Sequence, residues 1–115
     1  MNITIYQQPD CTVSPDVLDR IRAEGHEPVI IDIQSEPPTR AQLLALLVGM
    51  QMTPRDILRK EAPAYAQLGL DNQALSDREI LGALSDHPSL IQSPIVVSDK
   101  GIRLCATDRT LAEIL

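Results

Sequence analysis

Aromatic side chains are nearly missing. The 115-residue chain has no Phe, no Trp, and only Tyr6 and Tyr65. Its core must therefore be built from Leu, Ile and Val, and it offers no platform on which nucleic-acid bases could stack. Positive charge is also scarce. Ten Lys and Arg against sixteen Asp and Glu give a net charge of −6, so the chain has no general attraction for DNA, RNA or anionic membranes. A small anion site is still open, because that needs only two or three local cations. No apolar run reaches the roughly 18 residues of a membrane-spanning helix. The N-terminal residues enter a strand-like segment directly, without a basic stretch and an apolar stretch ahead of it. No secretory signal is expected, and the expected location is cytoplasmic. His26 and His87 lack metal-ligand spacing, and there is no Gly-rich phosphate loop, Ser-His-Asp set or paired-carboxylate pattern. No metal or bound cofactor is expected.

Cysteine is limited to Cys11 and Cys105, too far apart for a CxxC motif. In a reducing compartment they read as thiols rather than as a structural bridge. Cys11 is the more informative of the two. It lies between a strand-like opening, Ile3-Thr4-Ile5-Tyr6, and an amphipathic run that starts near Ser14-Pro15-Asp16. A helix N-terminus carries unpaired N–H groups and the positive end of the macrodipole, and both favour a thiolate. Thiol redox chemistry or anion handling is the first expectation. The alternative for Cys11 is a small buried apolar thiol, and the loop position argues against it. Ser14, three residues on, reads mainly as the cap of the helix, with a hydroxyl that could also reach the Cys11 thiolate. It cannot resolve a mixed disulfide, so chemistry at Cys11 would be monothiol and would need an external thiol.

A chain of this length with 43% apolar residues is expected to form one domain over residues 1–115. A strand over about 2–6 is followed by a helix in which Val17, Leu18 and Ile21 form the apolar stripe and which Gly25 ends. A second strand covers about 28–33. It is almost continuously apolar, which predicts cover on both faces. Strand, helix and strand with short links predict a parallel βαβ unit. A helical insert over about 39–87 follows. Thr39 with Gln42, and Ser76 with Glu79, are capping-box pairs ahead of leucine-rich runs. Thr53-Pro54 opens a short helix between them, and His87-Pro88 closes the insert. Pro94-Ile95-Val96-Val97-Ser98 and Ile102-Arg103-Leu104-Cys105 flank Asp99-Lys100-Gly101 as a hairpin, and a helix over about 107–115 completes the order.

The order βαβ, helical insert, ββα is that of a thioredoxin-like three-layer α/β/α fold with a mixed four-stranded sheet. The residues carry the likeness further. They run from Ile3-Thr4-Ile5-Tyr6 through Pro9-Asp10-Cys11, then Glu36-Pro37-Pro38-Thr39-Arg40, Ile57-Leu58-Arg59-Lys60 and Tyr65-Ala66-Gln67-Leu68-Gly69-Leu70. His87-Pro88, Pro94-Ile95-Val96-Val97 and Arg103-Leu104-Cys105 complete the set. In this order and at these separations the chain resembles the glutaredoxin-coupled arsenate reductase (ArsC) family, with its Spx-like relatives, over essentially its whole length.

The resemblance implies that Cys11 is the catalytic nucleophile, that it attacks arsenate, and that glutathione as co-substrate and glutaredoxin as partner carry the electrons to release arsenite. Family members hold the oxyanion with three arginines. Arg59 matches the first. Ser93 and Ala106 stand where the family has the other two, so the implied oxyanion site is a degraded one. Gln7 and Gln8 stand for a histidine and an asparagine, Thr12 and Val13 for a Gly-Thr pair, and Pro15 for an arginine. Lys60 and Arg109 are candidate substitute cations, Arg109 from the start of the last helix. Pro94 holds the position of the fold's cis-proline, with Ser93 then facing Cys11. Arg103 is expected to cover sheet or pair with an acid, and Cys105 to be buried. Two other readings stay open: a glutathione-linked thiol transferase or reductase of another substrate, and a non-enzymatic Spx-like regulatory binder. The Spx switch is a CxxC pair, which Ser14 denies here. A monomer is expected.

Overall fold

The computed structural model describes residues 2–11, 14–105 and 108–115, with the side chains of Asp108 and Arg109 left out. The first strand, β1 (Thr4–Gln7), leads to helix α1 (Ser14–Ala23) and strand β2 (Val29–Asp32). Helices α2 (Arg40–Met50), α3 (Pro63–Gln67) and α4 (Asp77–Asp86) follow, with 3-10 turns at Pro54–Ile57 and Pro88–Leu90. Strands β3 (Ile95–Ser98) and β4 (Gly101–Leu104) and helix α5 (Asp108–Ala112) close the order. The sheet runs β2-β1-β3-β4, with β1 and β2 parallel and the other two pairings antiparallel. This is the expected mixed four-stranded sheet.

Alternation along the strands sorts side chains to two faces. Ile5 and Val96 pack with Val17 and Ile21 of α1 and with Leu111 and Ile114 at the C-terminal end. Tyr6, Ile95 and Val97 face the other way, onto Leu43, Leu46 and Leu47 of α2 and Ile80 and Leu84 of α4. Three layers result, and the cores on both sides of the sheet are aliphatic.

The local signals in the sequence act as read. Thr39 Oγ1 accepts from the Gln42 N–H at 3.1 Å while the Gln42 side chain accepts from the Thr39 N–H at 2.9 Å. Ser76 and Glu79 form the same reciprocal box. Gly25, at φ 86°, ends α1. The His26 N–H reaches back to the Ile21 carbonyl and the Gly25 N–H to that of Arg22, as in a Schellman cap. Gln51 ends α2 in the same left-handed way, at φ 58°, without a glycine's freedom.

Three expectations need correction. The second strand is not covered on both faces. It lies at the edge of the sheet, and Val29 and Ile30 are 61% and 41% exposed. Continuous apolarity here reflects the alternation failing at an edge rather than burial. Thr53-Pro54 starts only one 3-10 turn instead of an α-helix. Ser14 is the first residue of α1, but its buried Oγ has no hydrogen-bond partner among the described residues, so the expected cap is not made. Arg103 pairs with Glu113 at 3.1 Å, as expected of a strand arginine near an acid.

Candidate functional site

Cys11 follows β1 in a turn closed by its own N–H donating to the Gln8 carbonyl at 3.1 Å. The turn leaves Cys11 half-buried, three residues before α1. Across from it, the Pro88–Leu90 turn and the residues before β3 form the opposite rim. An isolated bridge between Leu58 and Ile91 brings the Arg59 segment onto that rim. The Arg59 N–H donates to the Leu90 carbonyl at 2.7 Å, and one guanidinium nitrogen reaches the Ser89 carbonyl at 3.3 Å. Arg59 and Cys11 thereby line one cavity of about 180 Å³, together with Gln8, Asp10, Glu61, Gln92 and Ser93. A water needs only about 10–15 Å³ of such space, so a small oxyanion has room.

Charge in this cavity is finely divided. Arg59 is the only cation among its described lining residues. Arg59 is paired with Asp10 at 3.3 Å and with Glu61 at 3.6 Å. The Arg59 side chain is 17% exposed, whereas the two acids are 69% and 65% exposed. Arg59 is thus fixed at the wall, and its carboxylate partners stand in water, free to turn away. An entering dianion would compete with them for the guanidinium.

Ser93 lines this cavity, and the Ser93–Pro94 peptide bond is cis, as expected. Ser14 lines a second cavity of about 260 Å³ on the other side of Cys11, along with Gln7, Leu18 and Arg22. Gln7 Oε1 and Ser14 Oγ both lie buried there without a hydrogen-bond partner among the described residues. Lys60 is exposed beside Arg59 but does not line the Cys11 cavity. Arg109 belongs to α5. Its side chain, and Thr12, Val13 and Ala106, lie outside the described residues.

Cys105 is set apart from this chemistry. It is fully buried among Ile3, Val96 and Leu111. Burial pushes its thiol from 9.0 up to about 12, against a smaller lowering by Arg103. It stays a protonated thiol at neutral pH and is no nucleophile.

Sequence reasoning missed the role of Gln8, which it registered only as a replaced residue. Gln8 is 2% exposed. Its Nε2 donates to the carbonyls of Pro88 and Ile91, both at 2.8 Å, and its Oε1 accepts from Gln34 at 3.0 Å. One side chain therefore pins the Cys11 turn to the rim that carries Arg59 and Ser93. A glutamine beside a proline in a loop has no periodic signal, and two of its partners are backbone atoms some 80 positions away.

Among the described residues no group of three or more His, Cys, Asp or Glu side chains could hold a metal ion, and no helix is long and apolar enough to cross a membrane. Known proteins with this architecture are similar to the chain throughout. It is 41% identical over 114 residues to arsenate reductases of Yersinia enterocolitica and Escherichia coli strain K12, covering 99% of this chain and 81% of each relative. A solved arsenate reductase from Vibrio cholerae superposes with a TM-score of 0.92 at 29% identity, over 100% of this chain and 98% of that one. The description of the ArsC family matches residues 6–114. With that match across nearly its whole length and a cysteine turn sharing a cavity with a half-buried arginine on a thioredoxin-like sheet, the chain belongs to the ArsC family.

Proposed function

We propose that the chain is a thiol-dependent arsenate reductase in which Cys11 is the nucleophile and Arg59 the principal anion ligand. The observation that carries this is the convergence of those two side chains on one cavity, although 48 positions separate them. The identity of 38–41% to arsenate reductases over essentially the whole chain supports the substrate.

The reaction balances simply. Cys11 thiolate displaces one oxygen of arsenate, which leaves as water after protonation, and forms a sulfur–arsenic bond. Two electrons then pass from thiols to arsenic, which falls from the +5 to the +3 state. Two external thiols become one disulfide, and arsenite leaves as Cys11 is regenerated. Ser14 rules out an internal resolving thiol at the CxxC position, so the reductant comes from outside the chain, with glutathione and glutaredoxin as the natural pair. A cytoplasmic monomer is the setting this reading uses. Ser93 lines the Cys11 cavity with the buried cis-Pro94 directly behind it, Ser14 lines the adjoining cavity, and Arg109 is a candidate second cation from α5.

A second reading has its own support. A cavity whose described lining holds one arginine and two carboxylates neutralises a dianion poorly. Reduction of a glutathione mixed disulfide at Cys11 asks for no such neutralisation. The assay that tests the main reading is arsenate-dependent NADPH oxidation, coupled through glutathione reductase, glutathione and glutaredoxin. Turnover in the native chain that disappears in Cys11→Ser supports arsenate reduction. No turnover from a native chain whose Cys11 exchanges with glutathione mixed disulfides supports the second reading.

A further inference from the structure

Helix α2 has an apolar side that the fold leaves uncovered. From Ala41 to Pro54 no residue is charged, in a chain that is 23% charged overall. Leu43, Leu46, Leu47 and Met50 face the core. Ala41, Leu44, Ala45, Val48 and Gly49 form the outer side at i, i+3, i+4, i+7 and i+8, and Leu44 and Val48 are 51% and 70% exposed. A helix that is apolar all round belongs in an interior, and an exposed apolar surface of this kind marks an interaction site. The surface does not end with the helix. Towards α4, Leu44 and Val48 border a cavity of about 370 Å³ that Met52, Pro54 and Leu81 also line. Towards β4, Gly49 lies so close to Ile102 that an added Cβ would meet Ile102 Cδ1 at 2.5 Å.

Two features say what covers this face. The first is shape. Leu44 and Val48 belong to one i, i+4 row and make a ridge. Ala41, Ala45 and Gly49 make the next row, and their small size leaves a furrow. Ridges of i±4 rows seat in such furrows when two helices cross at about 50°. Ridge and furrow lie side by side on α2, so a two-fold axis between two copies seats each ridge in the other's furrow. The second feature is charge. The one cation of α2 is Arg40 at the helix N-terminus, where the macrodipole disfavours it, and the last turn has no basic residue. Two copies of α2 related by such an axis run antiparallel. Each Arg40 then lies towards the C-terminal end of the other helix, where a cation is favoured.

We infer that the outer face of α2 is a self-association surface, on which a second copy of this chain seats its own α2 antiparallel across a two-fold axis. The inference goes beyond the proposed reaction, and the monomer which that reaction uses is the dilute form. No described residue lining the Cys11 cavity belongs to α2, so each copy keeps its own site open. A pair built on two short helices belongs with the weak, concentration-dependent interfaces.

Sedimentation equilibrium of the full-length protein tests this, at loadings from roughly 10 μM to roughly 1 mM, where weak complexes form. The mass is expected to rise with loading towards that of two chains. Val48→Lys changes a largely exposed side chain and sets two ammonium groups against each other near the axis. It should raise the dissociation constant at least about tenfold and leave the circular dichroism of the dilute protein as it was. Arg40→Glu puts a carboxylate against the C-terminal end of the other helix and should raise the constant about three- to tenfold. Ile30→Lys, at the exposed edge of β2, is the control and should leave it unchanged. The mass of one chain at every loading would overturn the inference. So would a dimer that withstands Val48→Lys, that tightens in Arg40→Glu, or that Ile30→Lys dissolves.

Discussion

Replacing Gln8 by leucine should unlock the site without touching its chemistry. Leucine keeps most of the volume and removes all three hydrogen bonds of a side chain that is 2% exposed. Each of the two bonds to the Pro88 and Ile91 carbonyls is worth about 0.5–1 kcal/mol net; the Pro88 carbonyl keeps the Ile91 N–H, and the Ile91 carbonyl, left without a donor among the described residues in a largely dry setting, adds about 1–3 kcal/mol. Gln34 is exposed and turns to water at little cost. The sum is about 2–5 kcal/mol. At about 4 °C per kcal/mol for a chain of this size, the melting temperature should fall by roughly 8–20 °C. Thermal melts by circular dichroism and urea titration read the change directly. Gln8→Glu is the companion variant. A carboxylate cannot donate to the two carbonyls, whereas a protonated carboxyl donates to one, so this variant should regain stability as pH falls. A Gln8→Leu loss under about 0.5 kcal/mol would refute the view that Gln8 joins the two rims.

Arg59→Ala should lower kcat/KM for arsenate by roughly 10- to 100-fold, the worth of one charge-assisted contact, as steady-state kinetics would show. Asp10→Asn removes a carboxylate that competes for Arg59, and should lower the KM for arsenate about two- to fivefold at low salt and less at high salt. For Cys105, the folded thiol titrates near 12 against 9.0. Its contribution to stability is therefore complete below about pH 9 and is lost as pH rises towards 12. Cys105→Ala should flatten that decline in urea titrations across the alkaline range and leave turnover at neutral pH as it was. Gln51→Gly relieves a left-handed residue at the end of α2 and should raise stability by about 0.5–1 kcal/mol in the same titrations.

The parts of the fold that were legible are those whose cause is local. The capping boxes at Thr39 and Ser76 and the turn at Gly25 each involve residues within a few positions, and each forms as read. Cys11, Arg59, Ser93 and Pro94 were legible through resemblance, and the structure brings all but the buried proline to one cavity lining. Where sheet order decides, the sequence misled. Val29 and Ile30 look like a strand buried on both faces because apolar runs carry no record of which strand stands at the edge. The short helix at Pro63–Gln67 and the Pro88–Leu90 turn are too brief for any period to emerge. Gln8 escaped for a related reason. It is a polar residue whose backbone partners, the carbonyls of Pro88 and Ile91, lie 80 and 83 positions away.

The central claim is that Cys11 and Arg59 form one oxyanion site, and arsenate protection of Cys11 against alkylation tests it most directly. The protein is treated with iodoacetamide at neutral pH, with and without arsenate, and the modified peptides are quantified by mass spectrometry. The account predicts that Cys11 is alkylated and Cys105 is not, that arsenate slows the reaction at Cys11 in a saturable way, and that Arg59→Ala loses this protection while Cys11 still reacts. Alkylation of Cys11 that ignores arsenate in the native chain, or protection that survives in Arg59→Ala, would contradict it.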